Sequence, residues 1–308
     1  MVIVNPGDPD QAAYNPEDVF LVASGNESGV YFSGDNVRQV LNGAQLGDAV
    51  QVNGVPINGW EPYYNGKFIL DMSHLQLHNG LMSHYNYRNY NTFMEAELAV
   101  LQDIGYKIDR RNWFGRSVYN DGLIAVNYDG YSARNAAGTA YLAGVPNMTD
   151  FGVGLHIYGS NNDINQAGDI LTDGLGSIGI RMDGLGSNRL TVAEETQVLV
   201  NGSNGTGILA AYGRNHNVAV NGTVTALGQG GIGARFDFGD NIIGNAEEYR
   251  GSYINYGSDY DEYGNKQYVN LSIEYNGHTE LQGALVDSFD IGGTLAGRAA
   301  AIYIAPNA

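Results

Sequence analysis

Three histidines lie close together in the segment SHLQLHNGLMSH, residues 73–84, and Met82 lies between the second and the third. Imidazole nitrogens are common protein ligands of zinc, so His74, His78 and His84 are candidate metal ligands. The chain contains no HExxH motif, so the glutamate that would act as a general base is missing. Histidines are also common as structural residues, and residue chemistry alone leaves both interpretations open.

Asp183 and Asp237 are a second candidate pair. They occupy equivalent positions of the sequence repeat described below, with Ala211 at that position between them, so their expected separation is about 10 Å, two strand spacings. That separation suits the two carboxylates of an inverting glycosidase. Each aspartate also follows an arginine by two residues, Arg181 or Arg235. The pattern favours a structural charge network over catalysis.

Two further motifs match known sites only in part. GQGGIG, residues 228–233, has the letters of a dinucleotide-binding loop, but a strand and a turn follow it where that motif needs a helix. DYDEYG, residues 259–264, resembles the start of a calcium loop, but Tyr263 and Asn270 replace oxygen ligands that the loop requires. A turn and an acidic hairpin explain these segments better.

The segment TFMEAELAVLQDIGY, residues 92–106, has the pattern of a short packed helix. Thr92 is the expected N-cap and Glu95, three residues later, completes a capping box. Apolar residues follow at helical spacing, and Gly105 is the expected stop signal. This helix would position the histidine segment that precedes it.

From residue 113 onward the sequence repeats itself. The units GLHIYGSNN, GIRMDGLGSN, GILAAYGRN and GARFDFGDN begin at Gly154, Gly179, Gly207 and Gly233, at nearly constant spacing. Apolar and polar residues alternate within each unit, which predicts strands with one buried face and one solvent-exposed face, and about three short strands fit one period. The pattern predicts a mainly β chain: a small α+β region, residues 1–112, and then a right-handed parallel β-helix over about 115–308. The residues expected to stack inside it are Leu155, Ile180, Ile208 and Ala234.

Recurring asparagines and an insertion at about residues 244–286 are two further features of the repeat region. Asparagines recur near the end of each unit, at Asn162, Asn188, Asn215 and Asn241, where stacked amides are expected to form a ladder and a left-handed turn conformation is tolerated. A tyrosine-rich, acidic β insertion interrupts the repeat at about residues 244–286, with a hairpin turn predicted at EYGNK. Its tyrosines either bind a partner or cover the stalk itself. The candidate binding residues are Tyr249, Tyr253, Tyr256, Tyr260 and Tyr263.

Composition excludes several classes of function. The 308 residues carry a formal net charge of -18 with only 15 Lys and Arg, so a nucleic-acid partner is not expected. There is no cysteine, which excludes disulfides and thiolate metal sites. No apolar run is long enough for a membrane-spanning helix. The 44 glycines are typical of many short strands and tight turns.

The histidine segment and the following helix resemble the C-terminal lobe of leishmanolysin-like zinc metallopeptidases, over roughly residues 60–108. The resemblance implies that His74 is the third zinc ligand and that Met82 is the methionine of the Met-turn beneath the metal, although Leu75 replaces the usual tryptophan. HExxH is absent. The chain as given is therefore expected to hold no zinc and no other cofactor and to cleave no peptide, the remaining zinc ligands lying upstream in a longer parent.

Residues 113–308 resemble the passenger domains of bacterial autotransporters, through phrases such as GVGLHIYGSNN, AAYGRNHNVAVNGTVTALG and LAGRAAAIYI. The resemblance implies a virulence-related, secreted or surface-displayed passenger of a Gram-negative-type bacterium, with further coils and an outer-membrane translocator barrel C-terminal in the same polypeptide. The β-helix would be a stalk for display or adhesion, and a host surface protein or glycan its external partner. An active zinc metallopeptidase with ligands outside this chain and a carbohydrate-active β-helix enzyme are the alternatives.

Overall fold

The structure is a computed structural model that describes residues 21–23, 30–41, 54–56, 60–63, 67–70, 75, 77, 80–82, 92–184, 186–237, 241–243, 246–249, 252–275, 284–305 and 308. These residues are mainly β, with 24 strands and two α-helices. Neither helix is long and apolar enough to cross a membrane. The chain divides into two compact units, of which the first covers residues 1–87 and 91–109 and the second covers the remainder.

The first unit combines small antiparallel sheets with two helices. A three-stranded sheet has the order β1 (Leu21–Ala23), β2 (Val30–Phe32), β3 (Val55–Pro56), and β4 (Trp60–Tyr63) pairs with β5 (Lys67–Leu70). The helices are α1 (Asp35–Leu41) and α2 (Glu95–Asp103).

Asp103, at the end of α2, joins the two helices. Its carboxylate accepts hydrogen bonds from the backbone N–H groups of Asn36 (3.0 Å) and Val37 (2.9 Å) at the start of α1. These N–H groups have no partner within the helix, so a carboxylate there satisfies them and interacts favourably with the helix dipole. The end of α2 therefore fixes the start of α1.

The ends of α2 confirm one sequence prediction and correct another. Gly105 ends the helix with a φ of +100°, and the hydrogen bonds Tyr106 N–H to Leu101 C=O (2.9 Å) and Gly105 N–H to Gln102 C=O (3.0 Å) form a Schellman motif. The N-cap is Met94, so the prediction of Thr92 as N-cap was wrong. The helix begins two residues later because a buried carboxylate on α2, described below, accepts the Met94 N–H.

The second unit contains three parallel sheets. The six-stranded sheet has the order β24-β17-β14-β11-β8-β6, formed by β6 (Phe114–Val118), β8 (Val153–Ile157), β11 (Ile178–Met182), β14 (Thr206–Ala210), β17 (Ile232–Phe236) and β24 (Ala300–Ile304). The five-stranded sheet has the order β22-β15-β12-β9-β7, formed by β7 (Ile124–Asn127), β9 (Asp163–Gln166), β12 (Arg189–Val192), β15 (His216–Val220) and β22 (Val286–Ile291). The four-stranded sheet has the order β10-β13-β16-β23, formed by β10 (Ile170–Thr172), β13 (Gln197–Val200), β16 (Thr223–Ala226) and β23 (Thr294–Gly297).

The strand register follows the sequence repeat. Val153, Ile178, Thr206 and Ile232 pair directly with one another across β8, β11, β14 and β17, and each lies one residue before the glycine that begins its repeat unit. Each repeat period contributes one strand to each of the three sheets. The predicted mainly β chain with parallel pairing of the repeat units is confirmed.

A close backbone approach explains the glycine that begins each repeat unit. A Cβ placed on Gly154 would lie 2.6 Å from the carbonyl oxygen of Gly179, and one on Gly179 would lie 2.5 Å from that of Gly207. A Cβ on Gly207 would lie 2.4 Å from the carbonyl oxygen of Gly233. Side chains are therefore excluded at this position in each strand, because the neighbouring strand occupies the space.

Side chains of all three sheets form one apolar core. Leu155, Ile180, Ile208 and Ala234 lie in register with one another and are fully buried, as predicted. The predicted solvent exposure of the alternate residues was wrong for the six-stranded sheet, because His156, Arg181 and Leu209 on its other face are also buried. Both faces of the central strands are covered.

The asparagine ladder is present but contains a histidine. The Asn162 side-chain oxygen accepts the Leu123 N–H (2.7 Å), and the Asn188 side-chain oxygen accepts the Asn162 N–H (2.9 Å). In the next strand His216 occupies this position, and its Nδ1 accepts the Asn188 N–H (3.3 Å). The prediction of Asn215 as the next ladder residue was wrong, because Asn215 instead takes a left-handed turn conformation with a φ of +54°.

The insertion forms a separate antiparallel sheet. Its strands, in order, are β18 (Asn241–Ile243), β19 (Ala246–Tyr249), β20 (Ser252–Tyr260) and β21 (Lys266–Tyr275). Asn241 begins β18 and therefore lies outside the asparagine ladder, contrary to the prediction. The hairpin predicted at EYGNK is confirmed by the pairing of β20 with β21, and the Asp261 carboxylate accepts the N–H groups of Tyr263 (3.0 Å) and Asn265 (2.8 Å) in its turn.

Candidate functional site

A buried glutamate of α2 holds the turn that contains Met82. Glu97 has no solvent exposure, and its Oε1 accepts the backbone N–H of Met82 at 2.8 Å. Its Oε2 accepts the backbone N–H of Met94 at 2.8 Å, and the Met82 carbonyl in turn accepts the N–H of Leu75 at 2.8 Å. One carboxylate therefore fixes both the start of α2 and the Met82 turn.

Burial raises the pKa of Glu97 to about 7, while the backbone hydrogen bonds from Met94, Met82 and Leu81 act in the opposite direction. A carboxylate is costly to bury in its ionised form. The carboxyl group of Glu97 therefore gains or loses its proton near neutral pH, and it contacts both the Met82 turn and the start of α2.

The structure describes only part of the predicted zinc site. His74, His78 and His84 lie outside the described residues, so the assignment of His74 as a ligand stays a prediction. Met82 is half-buried in its turn. No group of three His, Cys, Asp or Glu side chains among the described residues could hold a metal ion. The described residues therefore do not supply a zinc ligand set.

In the second unit, a buried ion cluster surrounds Asp183. Its Oδ2 accepts hydrogen bonds from Arg181 Nε at 2.5 Å and lies 2.7 Å from His156 Nε2 on the neighbouring strand β8. Arg181 Nη2 lies 3.3 Å from the other carboxylate oxygen. The Asp183 side chain is fully buried and the Arg181 side chain is 3% exposed.

The electrostatics of this cluster favour the charged carboxylate. Burial by itself raises the pKa of Asp183, but the Arg181 charge and the His156 hydrogen bond outweigh it and hold the pKa well below its usual value. His156 also packs against Phe114 and Tyr158, with ring centroids 6.2 Å and 6.0 Å away. The imidazole is thus held on two sides by aromatic rings.

A similar but more open cluster surrounds Asp237. Arg235 donates from Nε (3.0 Å) and Nη2 (2.7 Å) to Asp237 Oδ2, and its guanidinium carbon lies 5.2 Å from the centre of the Tyr303 ring. The Arg235 side chain is 32% exposed. Met182, Ala210 and Phe236 pair in register, so the residues that follow them, Asp183, Ala211 and Asp237, are equivalent, as the repeat predicted.

The contacts of Asp183 and Asp237 argue against a role of this pair in glycoside hydrolysis. An inverting enzyme needs one carboxyl group with a raised pKa as its acid and space for a water molecule and a sugar ring at the other. Asp183 instead has a lowered pKa and no exposed surface, and Asp237 is bound by a guanidinium group. The geometry supports a structural charge network.

The imidazole of His216, the histidine of the asparagine ladder, is neutral. One of its ring nitrogens accepts a hydrogen bond and the other donates one. Because Nδ1 accepts the Asn188 N–H, Nε2 carries the proton and donates to the Tyr212 carbonyl oxygen, 2.8 Å away. Burial lowers the pKa of His216, while the Tyr212 hydrogen bond and the Asp183 charge act in the opposite direction. A neutral imidazole therefore replaces an amide in the ladder.

The candidate binding tyrosines are described to different extents. The backbones of Tyr249, Tyr253, Tyr256 and Tyr260 lie in β19 and β20, and their side chains lie outside the described part of the chain. Tyr263 lies at the turn of the β20–β21 hairpin, where its side chain is 80% exposed.

Sequence reasoning missed Glu97 and His216. A glutamate inside an otherwise apolar helix face was the available signal for Glu97, since such a residue needs a partner for its buried carboxylate. His216 follows Asn215 directly, and the spacing between Asn162 and Asn188 does not by itself distinguish the two positions, because the repeat units differ slightly in length.

No protein-family model, curated protein or solved structure matches the chain. The two family resemblances therefore rest on the sequence phrases quoted above.

Proposed function

We propose that the chain is part of a secreted or surface-displayed autotransporter passenger in which residues 113–308 form a right-handed parallel β-helix that serves as a stalk. The observation that carries this proposal is the parallel pairing of strands one repeat period apart, in three sheets around one core. A stack of this kind depends on nearest-neighbour contacts, so it can be extended by adding units. This property suits a rod that holds another region away from a cell surface.

The first unit is, in this proposal, the remaining lobe of a metallopeptidase-like head. The contact between Glu97 on α2 and the Met82 turn supports it, because the resemblance places these two segments next to each other. In this proposal the unit acts as a scaffold, and its described residues include no zinc ligand set. In this proposal a zinc ion would be bound by His74 together with residues outside this chain.

Adhesion is the second function that a specific observation favours. The Tyr263 ring is 80% exposed at a hairpin turn that also carries Asp261 and Glu262. An exposed aromatic ring beside acidic groups suits contact with a host surface protein or a glycan. In this reading the stalk presents the hairpin as well as the head.

Surface labelling of the source cells tests the proposal. Antibodies raised against residues 113–308 are expected to label intact cells, and a protease added outside the cells is expected to remove the signal. A cytoplasmic marker serves as the control and stays unlabelled until the cells are permeabilised. Labelling that appears only after permeabilisation would rule out surface display.

A further inference from the structure

Four turns of the second unit, residues 149–152, 174–177, 202–205 and 228–231, each come immediately before a strand of the six-stranded sheet. Each turn contains one residue with a positive φ: Phe151 (+59°), Gly176 (+62°), Asn204 (+57°) and Gly230 (+74°). Backbone hydrogen bonds join successive turns at these residues: Phe151 N–H to Leu175 C=O (2.8 Å), Gly176 N–H to Ser203 C=O (2.8 Å) and Asn204 N–H to Gln229 C=O (2.6 Å). The four residues are therefore equivalent positions of the repeat, and we call the surface formed by these four turns the corner.

Phe151 is the exception among these four residues. Glycine and asparagine tolerate the left-handed conformation, whereas a bulky side chain in it is strained. Burial does not explain the choice of phenylalanine, because Phe151 is 65% exposed. Strained residues cluster at functional sites, where the surrounding structure holds a side chain in position for its task. The corner thus combines strain and exposure at a single aromatic residue.

The glycine of the next turn makes room for the Phe151 ring. A Cβ on Gly176 would lie 2.9 Å from both Cδ1 and Cε1 of the ring, so this position must lack a side chain. The same arrangement recurs two turns along the corner, where a Cβ on Gly230 would collide with the side-chain oxygen of Asn204. An aromatic ring and an amide therefore extend over neighbouring glycines, two strand spacings or roughly 10 Å apart.

The side chains of the corner are exposed and almost free of charge. Leu175 is 43% exposed, and Ser203, Asn204 and Gln229 are also exposed. Asp150 is the one charged residue of the four turns, and its Oδ1 accepts the Leu175 N–H at 2.8 Å. Hydroxyl and amide side chains both donate and accept hydrogen bonds. The corner therefore presents an apolar end at Phe151 and a neutral polar end at Asn204.

We propose that the corner binds a neutral oligosaccharide, with one sugar ring stacked on the Phe151 ring and a following sugar within reach of the Asn204 amide. The C–H face of a sugar suits an aromatic ring, and its hydroxyl groups suit amide and hydroxyl partners. A short oligosaccharide can bridge the two strand spacings between these side chains. This inference rests on the adhesive function proposed above and names a second site for it.

Size and charge favour this ligand over a protein or an acidic glycan. A stable protein partner needs about 800 Å² on each side, whereas the large apolar side chains of the four turns are those of Phe151 and Leu175 alone. An acidic glycan is repelled by a net charge of -18, and the four turns contain no lysine or arginine. A neutral sugar needs neither a large surface nor a cation.

Binding of the purified chain to immobilised oligosaccharides tests the inference. The probes are neutral di- to tetrasaccharides of glucose, galactose and mannose, with sialylated oligosaccharides and heparin fragments as the acidic set. The wild type is expected to bind at least one neutral probe, which is then titrated by calorimetry. Phe151→Asn is expected to raise the dissociation constant by about tenfold, because the stacked ring is lost. Phe151→Tyr keeps the ring and should bind like the wild type.

The variants also separate binding from folding. Asparagine already occupies the equivalent left-handed position at Asn204, so Phe151→Asn should have a urea midpoint no lower than that of the wild type. Ile124→Asn is the matched control, because it removes another exposed apolar side chain, 82% exposed on β7 of the five-stranded sheet. This variant should bind the sugar like the wild type.

Several results would overturn the inference. They are the absence of binding, binding to acidic probes alone, binding that Phe151→Asn leaves unchanged, and a lower urea midpoint for Phe151→Asn, which would make the ring a packing residue. Binding that Tyr263→Ala removes and Phe151→Asn does not would place the sugar at the hairpin turn, against the inference but in favour of adhesion. Surface labelling of intact cells tests display separately, so the two failures are distinguishable.

Discussion

At the residue scale, Asp183 is a fully buried carboxylate of the second unit. It balances the charge of Arg181 and contacts His156, and all three residues are buried. Removing one partner of a buried ion pair leaves the other charge without compensation, which costs more than the pair itself contributes. Asp183 is therefore expected to be a stability residue for the second unit.

Asp183→Asn is expected to lower the free energy of unfolding of the second unit by about 3–5 kcal/mol, measured by urea denaturation. Asp237→Asn is the matched control, because it breaks the same Arg-x-Asp pair where the arginine is 32% exposed, and it should cost about 1 kcal/mol. The pKa of Asp183 is lowered on folding, so its contribution is present above about pH 4 and is lost as the pH falls. Equal losses in the two variants would contradict the assignment.

His216 gives a second prediction at this scale. His216→Asn should change the free energy of unfolding by less than about 1 kcal/mol, because an asparagine oxygen can accept the Asn188 N–H as it does elsewhere in the ladder. His216→Ala leaves that buried N–H without an acceptor and should cost about 1–3 kcal/mol. Equal losses in the free energy of unfolding for His216→Asn and His216→Ala would contradict the ladder.

At the element scale, the sequence predicted the regular parts of the fold and missed the contacts between them. The repeat period identified the parallel strands because equivalent strands pair in the same register. The glycine that begins each unit recurs because the backbone of the neighbouring strand leaves no space for a Cβ. The start of α2 was displaced from Thr92 to Met94 because the carboxylate of Glu97, a tertiary contact, decides which N–H is capped. The side chains on the second face of β8 and β11 are also buried. The alternation of apolar and polar residues within one strand does not reveal the contacts that bury them.

The link between α2 and the Met82 turn predicts a pH dependence. Folding raises the pKa of Glu97 from 4.5 to about 7, so the folded chain binds the proton more tightly than the unfolded chain in this range. The contribution of Glu97 to stability is therefore greatest below pH 4.5 and falls, by about 3 kcal/mol in total, as the pH rises to about 7.

Glu97→Gln should remove this part of the pH dependence of the first unit, measured as the free energy of unfolding at pH 4.5, 6 and 8. The amide keeps one acceptor oxygen, so one of the two backbone N–H groups of Met82 and Met94 loses its partner, and the variant should be less stable at low pH. An unchanged slope between pH 4.5 and 7 would show that Glu97 does not titrate there. Asp103→Asn, at the other end of α2, is the control.

At the scale of the whole molecule, the parallel register of the second unit determines which residues meet one another. The core, the buried ion cluster and the ladder all follow from it, since each joins residues one repeat period apart. The proposed stalk uses the same register along its three sheets.

A pair of engineered cysteines measures this register most directly, because the chain has no cysteine of its own. Arg189 and Asn217 pair directly on β12 and β15, and neighbouring strands place their Cα atoms about 5 Å apart, within disulfide range. Arg189→Cys with Asn217→Cys is therefore expected to form a disulfide on mild oxidation. Arg189→Cys with Ala219→Cys, shifted by two residues and about 8 Å apart, should not. Efficient bonding of the shifted pair, or none of the paired one, would contradict the parallel register.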